Sequence, residues 1–196
     1  MGKKFRNFDA YALVTGAASG MGRLYARRLA LRGYNVIIVD INSKGLEETE
    51  SFVRKDVQED ANIEVSAKEK FRILPIVQDL SQTDAADRIF EITEGKDCKV
   101  EVLVNNAGII RDKTMIKMPI EDWKAVLAVD LPSVFYCSKQ VLPGMIERQY
   151  GKIVNMSSLG YIGAHGQGNY AAAKHGVLGF TRVLAKEYAK YKYKKY

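Results

Sequence analysis

Cysteine is scarce in this chain: Cys98 and Cys137 are the only two among 196 residues. Two thiols exclude a disulfide framework and make a reducing, cytoplasmic setting the expectation. Histidine is equally rare. Neither His165 nor His175 shares metal-ligand spacing with cysteines or carboxylates, so no catalytic metal is expected. No apolar run approaches the ~18 residues that cross a bilayer, so no membrane span is expected. The start, Met1-Gly2-Lys3-Lys4-Phe5-Arg6, has no apolar stretch behind it and does not read as a secretory signal. Arg6 also stands where a myristoylation motif needs Ser or Thr. Asn155-Met156-Ser157 spells a glycosylation sequon but closes an apolar strand with no export signal, so it reads as chance. Acidic residues are outnumbered, with a net charge of +7, yet Lys186 to Tyr196 alone supplies four of the seven. Outside that tail the chain is mildly basic, with no basic helix and no zinc spacing, which argues against a nucleic-acid binder.

What is present is a chain 47% hydrophobic and 27% charged, long enough for one full core over residues 1–196. Short apolar runs at Tyr11 to Thr15, Val36 to Val39, Arg72 to Val77, Val100 to Val104 and Ile153 to Met156 predict strands. Between them, Gly20 to Leu31, Lys44 to Val57, Ala85 to Thr93, Glu121 to Met145 and Asn169 to about Lys190 predict helices. Met21, Leu24, Tyr25 and Leu29 share one face of the first helix. Pro132 falls inside the fourth, where an internal proline costs ~3 kcal/mol, so a kink or break is predicted there. The charged stretch Asp56 to Lys70 reads as a surface excursion, and Trp123 as a core residue. Strands alternating with helices give a doubly wound α/β fold: a parallel sheet covered on both faces, which binds ligands at the carboxyl ends of its strands. Asp40, Asn105 and Ser157 all fall at such ends.

Thr15-Gly16-Ala17-Ala18-Ser19-Gly20-Met21-Gly22 joins the first strand to the first helix. Glycines there let a pyrophosphate approach the backbone, and the helix N-terminus favours its charge. Asp40 lies eighteen residues after Gly22, where a carboxylate accepts hydrogen bonds from an adenosine ribose and repels the extra phosphate of NADP. The expected cofactor is therefore NAD(H), with NADP(H) the alternative, and Arg23 is the one cation that would reverse the preference. Asp79, with Leu80, would meet the adenine edge, unless it is a turn or cap aspartate.

Carbonyl reduction needs a proton for the oxygen. A free tyrosine, with a pKa near ~10, is a poor acid–base at neutral pH, and a nearby ammonium favours its phenolate. Tyr170 and Lys174 are four apart, hence on one helix face. The same spacing recurs at Tyr188/Lys192 and Tyr191/Lys195. Only Tyr170 has a serine thirteen residues before it, Ser157.

With these motifs the chain resembles the short-chain dehydrogenase/reductase family over about Ala10 to Ala189. Asn106-Ala107-Gly108-Ile109-Ile110-Arg111-Asp112 and Gly166-Gln167-Gly168-Asn169-Tyr170 look most like 3-oxoacyl-carrier-protein and acetoacetyl-CoA reductases. The resemblance implies a Rossmann-like sheet of order 3-2-1-4-5, without the family's usual last two strands and lid. It implies Gly16, Ser19, Gly20, Met21 and Gly22 around the pyrophosphate and Asp40 on the ribose. Asn105 to Gly108 would support the central strand and line the cofactor, Asn106, Ala107 and Gly108 most directly. Tyr170 would be the general acid–base and Ser157 the orienting hydroxyl. Lys174 would bind the nicotinamide ribose and support the phenolate. It further implies a small carbonyl or alcohol substrate, a carrier-protein or CoA thioester, and a homodimer or homotetramer; Lys113 and Lys117 beside Arg111 would meet an acidic carrier protein or a CoA phosphate, unless they are an ordinary solvated loop.

Two departures qualify this. The family's fourth catalytic residue is an asparagine, and that position here resembles Asp130. The family's C-terminal region has no counterpart, which leaves the fifth strand with an unpaired edge. The alternative reading is therefore a non-catalytic or impaired nucleotide-binding member. An ionised carboxylate lacks the amide's donors and is positioned to pair with Lys174, so turnover is predicted to be reduced but not abolished. Asp130→Asn is expected to turn over faster than the parent in a steady-state assay.

Overall fold

The computed structural model describes residues 6–189. Lys190 to Tyr196, which hold most of the lysine-rich tail and complete both tail Tyr/Lys pairs, lie outside the described residues.

The first strand, β1 (Tyr11–Thr15), turns at Gly16 into α1 (Gly20–Ala30), followed by β2 (Asn35–Asp40), α2 (Ser43–Glu59), a short α3 (Val65–Lys68) and β3 (Ile73–Val77). The second half runs through α4 (Ala85–Glu94), β4 (Val100–Asn105), α5 (Ile120–Asp130), α6 (Pro132–Glu147), β5 (Lys152–Asn155) and α7 (Gly168–Tyr188). All pairings are parallel, in the order β3-β2-β1-β4-β5. This is the expected doubly wound sheet.

Alternate side chains of each central strand serve opposite cores, as a period of two requires. Ala12, Val14, Val36, Ile38, Val102 and Val104 pack against α1 and α2. Leu13, Ile37, Val39 and Leu103 pack against α4 and α6 through Ile89, Cys137 and Val141. Pro75 is tolerated because β3 is an edge strand. Among the described residues, β5 pairs with β4 alone and leaves its outer edge open. A cavity of about 610 Å³ lies there, between α6, β5 and α7.

Three expectations need correcting. Met21 and Leu24 are exposed; α1 meets the sheet through Gly22, Ala26 and Ala30, because only small residues allow so close an approach. Asp56 to Lys70 is not merely an excursion: Val57, Ile63 and Ala67 are buried, and the adjoining Phe71 packs on Phe8 with ring centroids 5.1 Å apart. Trp123 is only half-buried. The break at Pro132 is present: Leu131 leaves the helical region (φ −132°, ψ −62°), and Pro132 opens α6 at the position where its missing N–H is harmless. By length and composition Ile120–Glu147 is apolar enough to cross a membrane. In this fold it is two helices, with α5 against α7 and α6 against β4 and α4.

The turn after β1 is the tightest backbone contact. Gly16 and Gly20 have φ of +66° and +51°, which glycine adopts without strain. A Cβ on Gly22 would stand 1.9 Å from the Gly16 carbonyl oxygen. Gly22→Ala is therefore expected to cost about 3 kcal/mol, a fall of roughly 6–12 °C in thermal midpoint. Gly179→Ala, whose Cβ meets nothing within 4 Å, is expected to leave the midpoint unchanged or raise it.

Candidate active site

The carboxyl ends of β1, β2 and β4, together with the segment after β5, surround one cleft of about 310 Å³. Its walls are the Gly16, Ser19, Gly20, Met21 and Gly22 turn, Asp40, the Asn106–Gly108 loop, and Ser157, Tyr170 and Lys174. Ile110 and Met156 also line it, and motif spacing had not singled them out.

Thr15 holds the mouth together. Its Oγ1 accepts from the amides of Asn106 (3.0 Å) and Ala107 (3.1 Å), and the hydroxyl donates to the Val104 carbonyl. Asn106 Nδ2 donates to the carbonyls of Thr15 and Gly16, which fixes the glycine turn from the β4 side. Asn105 faces inward and donates to Ser138 Oγ and Asn155 Oδ1. It supports β4 and β5 and does not line the cleft.

At the turn's other side, Asp40 Oδ2 accepts from the Ala18 amide and Oδ1 from the Asn42 amide, each at 3.0 Å. Arg23 is committed elsewhere: its guanidinium donates to the Ala18 carbonyl (2.6 Å), Thr49 Oγ1 (2.9 Å) and Glu48 (3.0 Å). Thr49 in turn donates to the Ala17 carbonyl. Arg23 and Thr49 therefore brace the turn from behind. The first turn of α1 carries no acidic residue, and Ser19 makes no side-chain cap, so the positive helix end is left for an external anion.

Asp79 and Leu80 do not reach the cleft. Asp79 accepts from the Ser81 amide and from Gln82, turn bonds that hold its carboxyl below the usual range. Leu80 is buried in the core beneath α4. His165 is exposed, and His175 stacks edge-on against Tyr161 at 5.8 Å.

In the other half of the cleft, the Tyr170 ring lies over Gly160, where a Cβ would come within 3.0 Å of the ring. Lys174 Nζ sits 5.4 Å from that ring's centroid and donates to the Met156 carbonyl at 3.3 Å. Ser157 Oγ donates to the Lys174 carbonyl at 3.0 Å.

Asp130 lies beneath the cleft floor. It is fully buried, and Lys174 is 4% exposed. Asp130 Oδ2 faces Lys174 Nζ at 3.0 Å, while Oδ1 accepts from the Ile109 amide at 2.8 Å. The pairing expected from the sequence is present as a buried ion pair. Burial pushes the Asp130 carboxyl above its ordinary value, against the opposing pull of Lys174 and the Ile109 amide.

The family described as short chain dehydrogenase matches residues 10–194. A 3-oxoacyl-[acyl-carrier-protein] reductase of Synechocystis is 36% identical over 179 residues, 91% of this chain and 68% of that protein. An acetoacetyl-CoA reductase of Acinetobacter is 35% identical over 180 residues, 91% of this chain and 68% of that one. The solved structure of levodione reductase superposes with a TM-score of 0.83 at 33% identity, covering 93% of this chain and 67% of that one.

The ion pair has a pH signature. A carboxyl whose folded pKa is raised adds stability below its unfolded value, and that stability is lost as pH rises through the folded one. Lys174→Met removes the largest opposing charge and raises the Asp130 pKa further. Its stability deficit is expected to be small near pH 4 and to widen toward pH 8, reaching about 3–5 kcal/mol. Adding Asp130→Asn is expected to flatten that widening in urea melts.

Proposed function

The chain belongs to the short-chain dehydrogenase family of oxidoreductases, and from that premise we propose that it moves hydride between NAD(H) and a carbonyl or secondary alcohol. One observation carries this reading: a single cleft joins the Gly16–Gly22 turn and Asp40 to Ser157, Tyr170 and Lys174. The residues fit a dinucleotide. The uncapped α1 N-terminus suits its pyrophosphate, Asp40 its adenosine ribose, and Asn106 to Gly108 with Lys174 the nicotinamide end. When bound, the nicotinamide supplies hydride for reduction or accepts it for oxidation.

The chain's own residues manage the proton. In reduction the Tyr170 hydroxyl donates its proton to the carbonyl oxygen as the new C–H bond forms; in oxidation it takes the proton from the alcohol. Lys174, beside the ring, stabilises the phenolate left behind. A serine hydroxyl has a single proton, and that of Ser157 points at the Lys174 carbonyl. To orient a substrate oxygen, Ser157 turns that proton into the cleft.

NAD(H) is favoured over NADP(H) because Asp40 would face the added phosphate, while Arg23 is held by Ala18, Thr49 and Glu48. The names of the reductases similar to this chain make a 3-oxoacyl thioester the first substrate class to try. Arg111, Lys113 and Lys117, exposed just beyond Ile110, suit a phosphate-bearing thioester. Exposed Phe135 and Val183, on the outer sides of α6 and α7, suit a homo-oligomer.

A second reading, a non-catalytic nucleotide-binding family member, is favoured by the Asp130–Lys174 pair, which neutralises the ammonium that Tyr170 needs. One experiment separates the two. Calorimetry is expected to give NADH at least tenfold tighter binding than NADPH. The rate of NADH oxidation with acetoacetyl-CoA is expected to fall at least 100-fold in Tyr170→Phe. A folded, NADH-binding parent that is silent with 3-oxoacyl thioesters, ketosteroids and secondary alcohols would sink the first reading. Turnover that vanishes in Tyr170→Phe would sink the second.

A further inference from the structure

Asn169 precedes the proposed acid and is fully buried. Its side chain is engaged on both ends. Nδ2 donates to the carbonyls of Arg111 (3.1 Å) and Asp122 (3.4 Å) and contacts Met118 Sδ at 3.4 Å. Oδ1 accepts from the Tyr170 amide at 2.8 Å. That amide lies in the first turn of α7, where backbone donors have no intrahelical partner and where Gln167 gives no side-chain cap.

The two carbonyls bracket the segment 111–122, which continues the cleft wall from Ile110, itself one of the residues lining the cleft. Three further contacts fasten the same segment to the start of α7. The Lys113 amide donates to the Gly166 carbonyl at 2.9 Å. Gln167 Nε2 donates to Asp112 Oδ2 at 3.0 Å. Met115 lies so close to Gly168 that a Cβ there would meet its methyl at 3.1 Å. A single rigid amide thus spans the wall on one side and the backbone of Tyr170 on the other.

We infer that Asn169 is a positioning residue: it locks the Arg111–Asp122 wall to the helical turn bearing Tyr170, and so sets where a substrate carbonyl meets the tyrosine hydroxyl. The inference rests on the proposed reductase reading. A misplacement of about 1 Å at a reacting centre costs on the order of 100-fold in rate, so a loosened wall has a large effect even with the acid intact. The cofactor turn shares none of these contacts, so NADH binding is independent of the strap.

Asn169→Asp tests this. The carboxylate keeps an acceptor for the Tyr170 amide but turns an oxygen toward the carbonyls of Arg111 and Asp122. Asn169→Ser, which shortens the side chain without adding charge, serves where the carboxylate unfolds the chain. Trp123, the only tryptophan, follows Asp122 directly and reports on the wall without any turnover. Expected in either variant are stronger acrylamide quenching of Trp123, a KM for acetoacetyl-CoA raised about tenfold and a kcat lowered 10- to 100-fold. The Kd for NADH stays at the parent's value. A merely structural role would lower kcat through loss of active protein while leaving KM unchanged, and that result overturns the inference. So does unchanged Trp123 quenching, or loss of NADH affinity in both variants. If the parent itself proves inactive, the reductase reading falls. Trp123 quenching with the NADH Kd then decides alone whether Asn169 carries the wall.

Discussion

Two buried charges organise the carboxyl edge of the sheet. Removing an ammonium and a carboxylate from water costs several kcal/mol each, and only close geometry with further hydrogen bonds offsets it. The surroundings of Asp130 and Lys174 meet that condition in part, since Asp130 Oδ2 faces the ammonium without an aligned hydrogen bond. The Ile109 amide serves one carboxylate oxygen, the Met156 carbonyl accepts a hydrogen bond from the ammonium, and the charges stand 3.0 Å apart. The pair also dictates its neighbours. A Cβ on Gly108 would lie 2.7 Å from Asp130 Oδ2, so the loop after β4 closes over the pair only with glycine there. Asp130 is the last residue of α5, just before the chain breaks at Leu131. The loop after β4, the segment after β5, the α5–α6 break and α7 therefore meet at one point.

Topology supplies the cleft above that point. The chain winds outward from β1 to β2 and β3, then returns to the other side of β1 for β4 and β5. Loops leaving β1 and β4 diverge to opposite faces, and the crevice between them is where such sheets bind ligands. Divergence alone would leave a loose gap. The Thr15 hydroxyl closes its base by taking two amides from the β4 loop, and Asn106 returns two hydrogen bonds to the β1 turn. The split is thus stitched at the bottom and open at the top.

Much of this was legible in the sequence, for identifiable reasons. The strands could be read because residues such as Val36 to Val39 are apolar on both faces, which only a doubly covered sheet requires. The break before α6 could be read because proline fixes its own φ. The strand order came from the family resemblance, since periodicity says nothing of which strands are neighbours. Bulky residues misled the reading of α1: helical spacing draws attention to Met21 and Leu24, whereas close packing selects Gly22, Ala26 and Ala30. Ile63, Ala67 and Phe71 were hidden by the charges around them. Asp79 was ambiguous because a turn aspartate and a ligand aspartate are the same residue, and only the Ser81 amide separates them. Asn169 was invisible as anything but a motif letter, because its partners are backbone carbonyls 58 and 47 residues away.

The two halves of the cleft are built from different materials, and this bears on what Lys174 can do. The cofactor side is chiefly backbone: glycine turn, helix end and amides fixed by Thr15, Arg23 and Thr49. The opposite side is chiefly side chain, with Ile110, Met156, Ser157, Tyr170 and Lys174 lining it. Lys174 stands at the junction. A lone ammonium would project a full charge toward the Tyr170 hydroxyl, whereas one paired at 3.0 Å presents a dipole, whose field falls faster with distance. An uncharged amide at position 130 would leave the charge uncompensated and hold the lysine less firmly. Asp130 therefore fixes the position of Lys174 at the expense of its electrostatic reach. The tight seating of Tyr170, over Gly160 and clamped through its amide by Asn169, keeps its ring centroid 5.4 Å from that ammonium.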